Sequence, residues 1–378
     1  MKNEKYRIFP FYFPQFYSTP ENNKWWGEGF TDWELVKVAK GVDSEQVQPR
    51  LPVNGFYDQS SPDVIASQAA LAKKYGVSGF NFYHYWFDGK VLLDAPINNL
   101  YHNKNIDIEY FFTWANETWT RQWIGKPNDV LIEQEHKPDE HIWESHYKYL
   151  RMFFFDSRYV KINNKPMFCI YRAELIKNLD KWVEFINKKA RLDGFSGIHL
   201  VALRAYEISD AGSIYKDFDM IVNFQPRFSI NSKLKKTSNY MKFIERILRR
   251  CPESIQLKIA RLHSKKAYKK FNYNDYILSM KDDAVTFNNK PIYPVVFPDW
   301  DNAPRYKERA TFFSGVSIEL FKTALDVAKE KVATHEHRFI FINAWNEWSE
   351  SAYLEADTKN GYQKLDVVRE TFKVNESN

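Results

Sequence analysis

The chain is poor in the residues that mark several common protein classes. Of 378 residues only two are cysteine, Cys169 and Cys251. That excludes a disulfide framework, and without a C-x-x-C pair or a Cys/His cluster nothing suggests zinc. Glycine is scarce, at 13 residues, and none forms a G-x-G-x-x-G or P-loop pattern, so dinucleotide and ATP readings lack support. No apolar run reaches the roughly 18–20 residues that span a bilayer. The start, Met1-Lys2-Asn3-Glu4-Lys5 ahead of Tyr6-Arg7-Ile8-Phe9, lacks the apolar core of a secretory signal. A cytoplasmic protein is expected.

Aromatic residues are abundant: 12 Trp, 23 Tyr and 30 Phe, 17% of the chain. With 44% hydrophobic and 27% charged residues, a disordered chain is excluded. The length allows about two ordinary domains or one large α/β barrel. The net charge of +6 is unevenly spread: Arg227–Lys270 holds 14 Lys/Arg against Glu245 and Glu253, so the remaining body is mildly acidic.

Eight short β-rich runs recur in order: Tyr6–Tyr12, Gly79–Tyr83, Tyr110–Trp114, Met167–Tyr171, His199–Leu203, Met220–Phe224, Ile292–Val296 and Arg338–Asn343. Helical periodicity fills Pro62–Tyr75, Glu140–Phe155, Leu175–Leu192 and Ser317–Val332. Ser61 before Pro62 predicts a capped helix start, and Gly76 a stop. The runs are nearly all apolar, as a sheet buried on both faces requires. Eight of them alternating with helices predict a (β/α)8 TIM-type barrel, an open doubly wound sheet being the alternative. Pro10 and Pro294 fall inside the first and seventh runs, which predicts shortened or bulged strands there. Residues 1–378 read as one barrel domain with elaborated loops, Pro14–Ser60 and Asn116–Pro138 among them, and a basic helical insertion at 227–275.

Barrel enzymes carry their chemistry at the C-terminal strand ends. Here those ends offer Tyr12 and Gln15, with Trp26 in the first loop, then His84 and Trp86, then Trp114, Asn116 and Glu117. Tyr171 and Arg172 follow, then Asp301 and Asn302, and finally Trp345, Asn346, Glu347, Trp348 and Glu350. Any one aromatic can be core packing. Together they predict a sugar-binding cleft, in which flat rings take the C–H faces and amides and carboxylates take the hydroxyls. Trp114, Trp345 and Trp348 are expected to line it. Acetal chemistry needs one carboxylic acid and one carboxylate, which Glu347 and Glu350 supply. A helical i,i+3 spacing would set them about 5–6 Å apart, a separation that suits retention. The alternative is a solvated acidic loop. Burial beside Trp345 and Trp348 would raise one pKa, as an acid requires. Asp217-Phe218-Asp219 and Asp299-Trp300-Asp301 match the short D-x-D pattern of metal–nucleotide sites, which is too brief to carry a metal role. No metal or cofactor is expected. His84 reads as a hydrogen-bonded pocket histidine ahead of a base.

Six stretches carry a resemblance. They are FYFPQFY…WWGEGFTDWELV (Phe11–Val36), QPRLPVNGFYD (Gln48–Asp58), GVSGFNFYHYWFDGK (Gly76–Lys90), WANETWTRQW (Trp114–Trp123), PDWDNAPR (Pro298–Arg305) and NAWNEWSESAYLEAD (Asn343–Asp357). In these the chain resembles the WbsX family of lipopolysaccharide and capsule biosynthesis proteins, classed as glycosyltransferases and related to the glycoside hydrolase family 99 endo-mannosidases. The resemblance implies a (β/α)8 barrel, no metal, and a catalytic pair in the N-E-W-x-E motif. It implies that Glu347 assists attack by the sugar's own 2-hydroxyl and that Glu350 is the acid/base. The chain departs from the family's pattern at Ser351, where Gly is usual, and at Ala356, where Pro is common.

Two enzyme readings and one binding reading follow. The first is a glycosyltransferase of bacterial O-antigen or capsule synthesis, taking a sugar donor and a glycan acceptor, free or lipid-linked. The second is an endo-acting retaining hydrolase on a mannose-like unit. The third is a carbohydrate-binding barrel without catalysis. Within the basic segment, Met241–Arg250 sets Phe243, Ile244, Ile247 and Leu248 against Lys242, Arg246, Arg249 and Arg250. That pattern suits an interfacial helix on an anionic leaflet, giving a peripheral position on the inner face of the cytoplasmic membrane, or a helix packed on the barrel. Nucleic acid is not expected as a partner, because the body is acidic and no recognition fold is evident.

Overall fold

The computed structural model describes residues 5–234 and 268–372. Eight strands form its centre: β1 (Arg7–Tyr12), β2 (Gly79–Phe87), β3 (Glu109–Trp114), β4 (Lys165–Ile170), β5 (His199–Arg204), β6 (Met220–Asn223), β7 (Lys290–Val296) and β8 (Phe339–Ile342). They pair in parallel with their sequence neighbours, and β8 returns to β1 with Arg7 opposite Phe339, so the sheet closes into a (β/α)8 TIM-type barrel. Parallel neighbours need crossover connections. These are α1 (Pro62–Lys74), α2 (Ala95–His102), α3 (Glu140–Phe154), α4 (Leu179–Leu192), α5 (Tyr273–Lys281) and α6 (Ile318–Lys331), with α7 (Gln363–Thr371) after β8. Only a single turn, Ala211–Ile214, joins β5 to β6. Gly76 ends α1 as expected, with φ of 79°, but the Ser61 side chain makes no cap bond.

Both prolines lie inside full-length strands, which corrects the expectation of shortened or bulged ones. The β1–β8 ladder ends at Pro10 and the β1–β2 ladder starts at Phe11. Likewise Pro294 is the last residue of β7 paired with β6, and Val295 the first paired with β8. Each proline therefore stands where its strand changes neighbours, and the missing N–H falls at that changeover.

The barrel interior is built from rings. Phe9, Phe111 and Phe341 meet edge to face, and above them Phe11 stacks on Tyr83 at 5.5 Å. Gly79 opens β2 because a Cβ there would sit 2.3 Å from the Glu109 carbonyl oxygen. Residues 235–267 lie outside the described residues, and with them the Met241–Arg250 helix proposed for a membrane surface. The described ends of the basic segment are a turn at Arg227–Ser229 and a strand, Lys269–Asn272, paired with Thr311–Ser314. Among the described residues no helix is long and apolar enough to cross a membrane.

Candidate active site

After β8 the chain turns inward and is pinned to the first strand. Trp345 N–H donates to the Phe11 carbonyl at 2.7 Å, and the Asn346 amide clamps Phe13, accepting from its N–H at 2.7 Å and donating to its carbonyl at 2.8 Å. Asn346–Glu347 then pairs with Ala352–Tyr353 around a 3-10 turn, Trp348–Glu350. A 3-10 turn eclipses positions three apart, which brings Glu347 and Glu350 to one side. Ser351 closes the turn at φ 58°. This is the left-handed region that glycine enters freely and other residues enter at a cost of about 1–2 kcal/mol. The Ser351 hydroxyl accepts from Gln48 Nε2 at 3.1 Å and helps hold the turn.

One guanidinium joins both carboxylates. Arg305, on the short helix Ala303–Tyr306 that follows β7, sends Nη1 to Glu350 Oε1 at 2.7 Å and Nη2 to Glu347 Oε2 at 3.4 Å. Nη2 also donates to Asp32 Oδ2 at 3.0 Å, and Asp32, fully buried, accepts the Ser349 hydroxyl as well. Three buried carboxylates thus share one cation. Burial pushes Glu347 up to about 8; Arg305 opposes the shift, while Glu350 and Asp32 add to it. Burial therefore favours the protonated form of Glu347.

The pair faces an open cleft. Its walls include Trp26, Tyr83, Tyr85, Trp119, Trp123 and Tyr171, with Gln15, Glu117, Arg227 and Tyr306 as polar neighbours. Trp26 and Trp123 stack at 5.5 Å, and the Arg305 guanidinium lies 4.8 Å from the Trp123 ring. Trp119 and Trp123 belong to a hairpin, Trp119–Arg121 with Lys126–Ile132, inside the loop after β3. Such a lining of flat rings and polar groups can hold a sugar unit.

Of the residues chosen from sequence, Glu347, Glu350, Gln15, Trp26, Glu117 and Tyr171 line the cleft. The others lie elsewhere. Tyr12 points outward and bonds Gln68 at 2.6 Å. His84 and Trp86 also point outward. His84 meets the His146 ring nitrogen at 2.9 Å, and burial pushes it down to about 3. Trp86 stacks on His146 at 4.6 Å. The expectation that Trp114, Trp345 and Trp348 line the cleft is corrected: all three are sealed in packing. Trp114 donates to the Trp86 carbonyl, Trp345 packs on Phe80, and Trp348 stacks on Tyr353 and donates to Glu355 at 2.6 Å. Asn116 bonds both backbone groups of Arg172, whose side chain holds Glu117 and Glu174. Asp301 accepts from Gln46 and Gln48, and Asn302 from Thr311 N–H, so both shape the loop that presents Arg305. Asp299 pairs with Arg50, and Asp219 pairs with Lys165 at the start of β6, at the far end of the barrel.

Sequence reasoning missed Asp32, Arg227, Arg305, Tyr83 and Tyr85. Asn81 and Thr113, hydrogen-bonded to each other at 2.7 Å, held the signal for the tyrosines. Two small polar residues on neighbouring strands mark the interior face, and Tyr83 and Tyr85 share the parity of Asn81.

A sequence model of one family, described as Glycosyltransferase WbsX, matches residues 8–368. The chain belongs to the WbsX family. It is 32% identical over 367 residues to the uncharacterized protein WxcX of Xanthomonas campestris pv. campestris strain B100, covering 96% of this chain and 49% of WxcX. The chain thus spans about half the length of the curated relatives it matches. Among solved structures it is similar to a glycoside hydrolase-like protein, with TM-score 0.60, 14% identity, and 99% and 96% of the two chains covered. It is also similar to the GH99 endo-alpha-mannosidase from Bacteroides thetaiotaomicron, with TM-score 0.55, 12% identity, and 97% and 96% covered. At such identities the likeness is one of fold.

Proposed function

We propose that the chain is a glycosyltransferase of bacterial surface-polysaccharide synthesis, O-antigen or capsule, that works through Glu347 and Glu350. The observation that carries this reading is the buried carboxylate pair, bridged by Arg305 and facing an aromatic cleft at the C-terminal end of the strands. Acid–base work at a sugar's anomeric carbon needs two carboxyl groups in different protonation states. Burial supports such a difference by favouring the protonated form of Glu347. The family resemblance assigns the proton-accepting part to Glu347 and the acid/base part to Glu350. A group that draws a proton from a hydroxyl must enter as carboxylate, so the proton on Glu347 must pass to its partner when substrate binds. The reading is therefore made for the pair. Substrates are a sugar donor and a glycan acceptor, with a lipid-linked acceptor as one version.

The second reading, an endo-acting retaining glycosidase, is favoured by the fold likeness to the endo-alpha-mannosidase. Mass spectrometry of products from a panel of nucleotide sugars, lipid-linked sugars and manno-oligosaccharides separates the two. A transferase consumes an activated donor and lengthens an acceptor. A hydrolase releases a reducing end from an oligosaccharide alone, and that outcome with no transfer product overturns the first reading.

A further inference from the structure

Among the described residues, every charged side chain on the cleft wall but one has its counterion inside the protein. Arg305 is committed to Asp32, Glu347 and Glu350, and Glu117 is held by Arg172 Nη1 at 2.6 Å. Arg227 is the exception. It stands on the first turn after β6, half-buried in the cleft wall, and among the described residues its guanidinium makes no ion pair or hydrogen bond. Tyr171 and Tyr306 line the same cleft, and Arg227 acts on both rings only through its field. Glu350 and Glu117 are within electrostatic reach but not within contact.

A half-buried cation without a partner is costly unless something else supplies the opposite charge. The pairing of Arg305 makes it unfit for a new anion, because three carboxylates already surround it. Among the described residues the Arg227 fork is free, and it is planar and suited to two oxygens of one group. We propose that Arg227 receives an anionic group of the substrate, a phosphate or a carboxylate, carried next to the sugar on which Glu347 and Glu350 act. This rests on the cleft being the active site, as proposed above. Two sources share that chemistry: the phosphate of an activated donor, and the carboxylate of an acidic sugar.

Calorimetric titration of the full chain with three probes tests the proposal: inorganic pyrophosphate, methyl glucuronide and methyl mannoside. Wild type, Arg227→Gln and Arg227→Lys are compared. At least one anionic probe should bind wild type 10-fold or more tighter than Arg227→Gln, weaken with added salt, and bind Arg227→Lys with intermediate strength. Methyl mannoside should not distinguish the three proteins. Dependence for pyrophosphate alone points to a phosphorylated donor, and dependence for the glucuronide alone to an acidic sugar. If wild type binds neither anion, or Arg227→Gln binds both as wild type does, the proposal is overturned. A cleft that loses turnover in Glu347→Gln and Glu350→Gln yet shows no Arg227-dependent anion binding would remove this inference and leave the proposed function standing. Arg227-dependent binding with both glutamine variants fully active would do the reverse.

Discussion

Replacing Glu347 by Gln should make the protein more stable at alkaline pH and change little in acid. The reason is the proton that burial holds on Glu347, whose pKa moves from 4.5 to about 8. Between those values the folded protein keeps the proton and the unfolded chain has lost it, so stability falls as pH rises. Each pH unit in that window is worth about 1.4 kcal/mol, so between pH 5 and pH 8 the loss is about 4 kcal/mol at most. At roughly 2.1 cal/mol/K per residue, unfolding a chain of this size has an entropy near 0.8 kcal/mol/K, so the loss corresponds to about 5 °C in Tm. Glutamine keeps the shape and cannot ionise, while Arg305 retains Asp32 and Glu350. Thermal melts of both proteins from pH 5 to pH 8.5 should therefore diverge, with the variant's advantage growing by several degrees. Titrating groups remote from Arg305, Asp32 and Glu350 cancel in the difference. A Tm difference constant to about 1 °C across the range would refute the reasoning and put the proton elsewhere.

Three further outcomes follow from the packing, and one from the backbone. Trp123→Ala should weaken oligosaccharide binding, read by calorimetry, with little change in Tm. Trp345→Ala, which empties a sealed site against Phe80, should cost about 3–5 kcal/mol of stability. Arg305→Met leaves Asp32, Glu347 and Glu350 without their cation, and should cost about 3–5 kcal/mol at neutral pH. Gly79→Ala pushes a methyl group into the Glu109 carbonyl and should lower Tm without altering sugar binding in the protein that folds.

The eight strands were legible because each is a compact apolar run between helical stretches. The same feature hid the cleft. In GFNFYHYWF every other residue faces the barrel interior, yet both faces are aromatic, so composition does not tell inside from outside. Choosing His84 and Trp86 over Tyr83 and Tyr85 is a slip of one position, and it selects the opposite face. Trp114 follows from the same slip on β3. The carboxylate pair was legible because its spacing is local. Asp32 and Arg305 were not, since 273 positions separate two lone charges that only the closed barrel brings to 3.0 Å. The Ser351 departure was visible as a substitution, but its meaning, a left-handed turn just after Glu350, needed the backbone.

The most direct test of the central claim is turnover by Glu347→Gln and Glu350→Gln on whichever donor and acceptor the product screen identifies, with melting curves to confirm folding. Acid–base groups contribute about 10²–10⁴-fold. Each variant should lose 10²-fold or more in kcat while remaining folded. Folded variants that both stay within a few-fold of wild type would contradict the carboxylate-pair account.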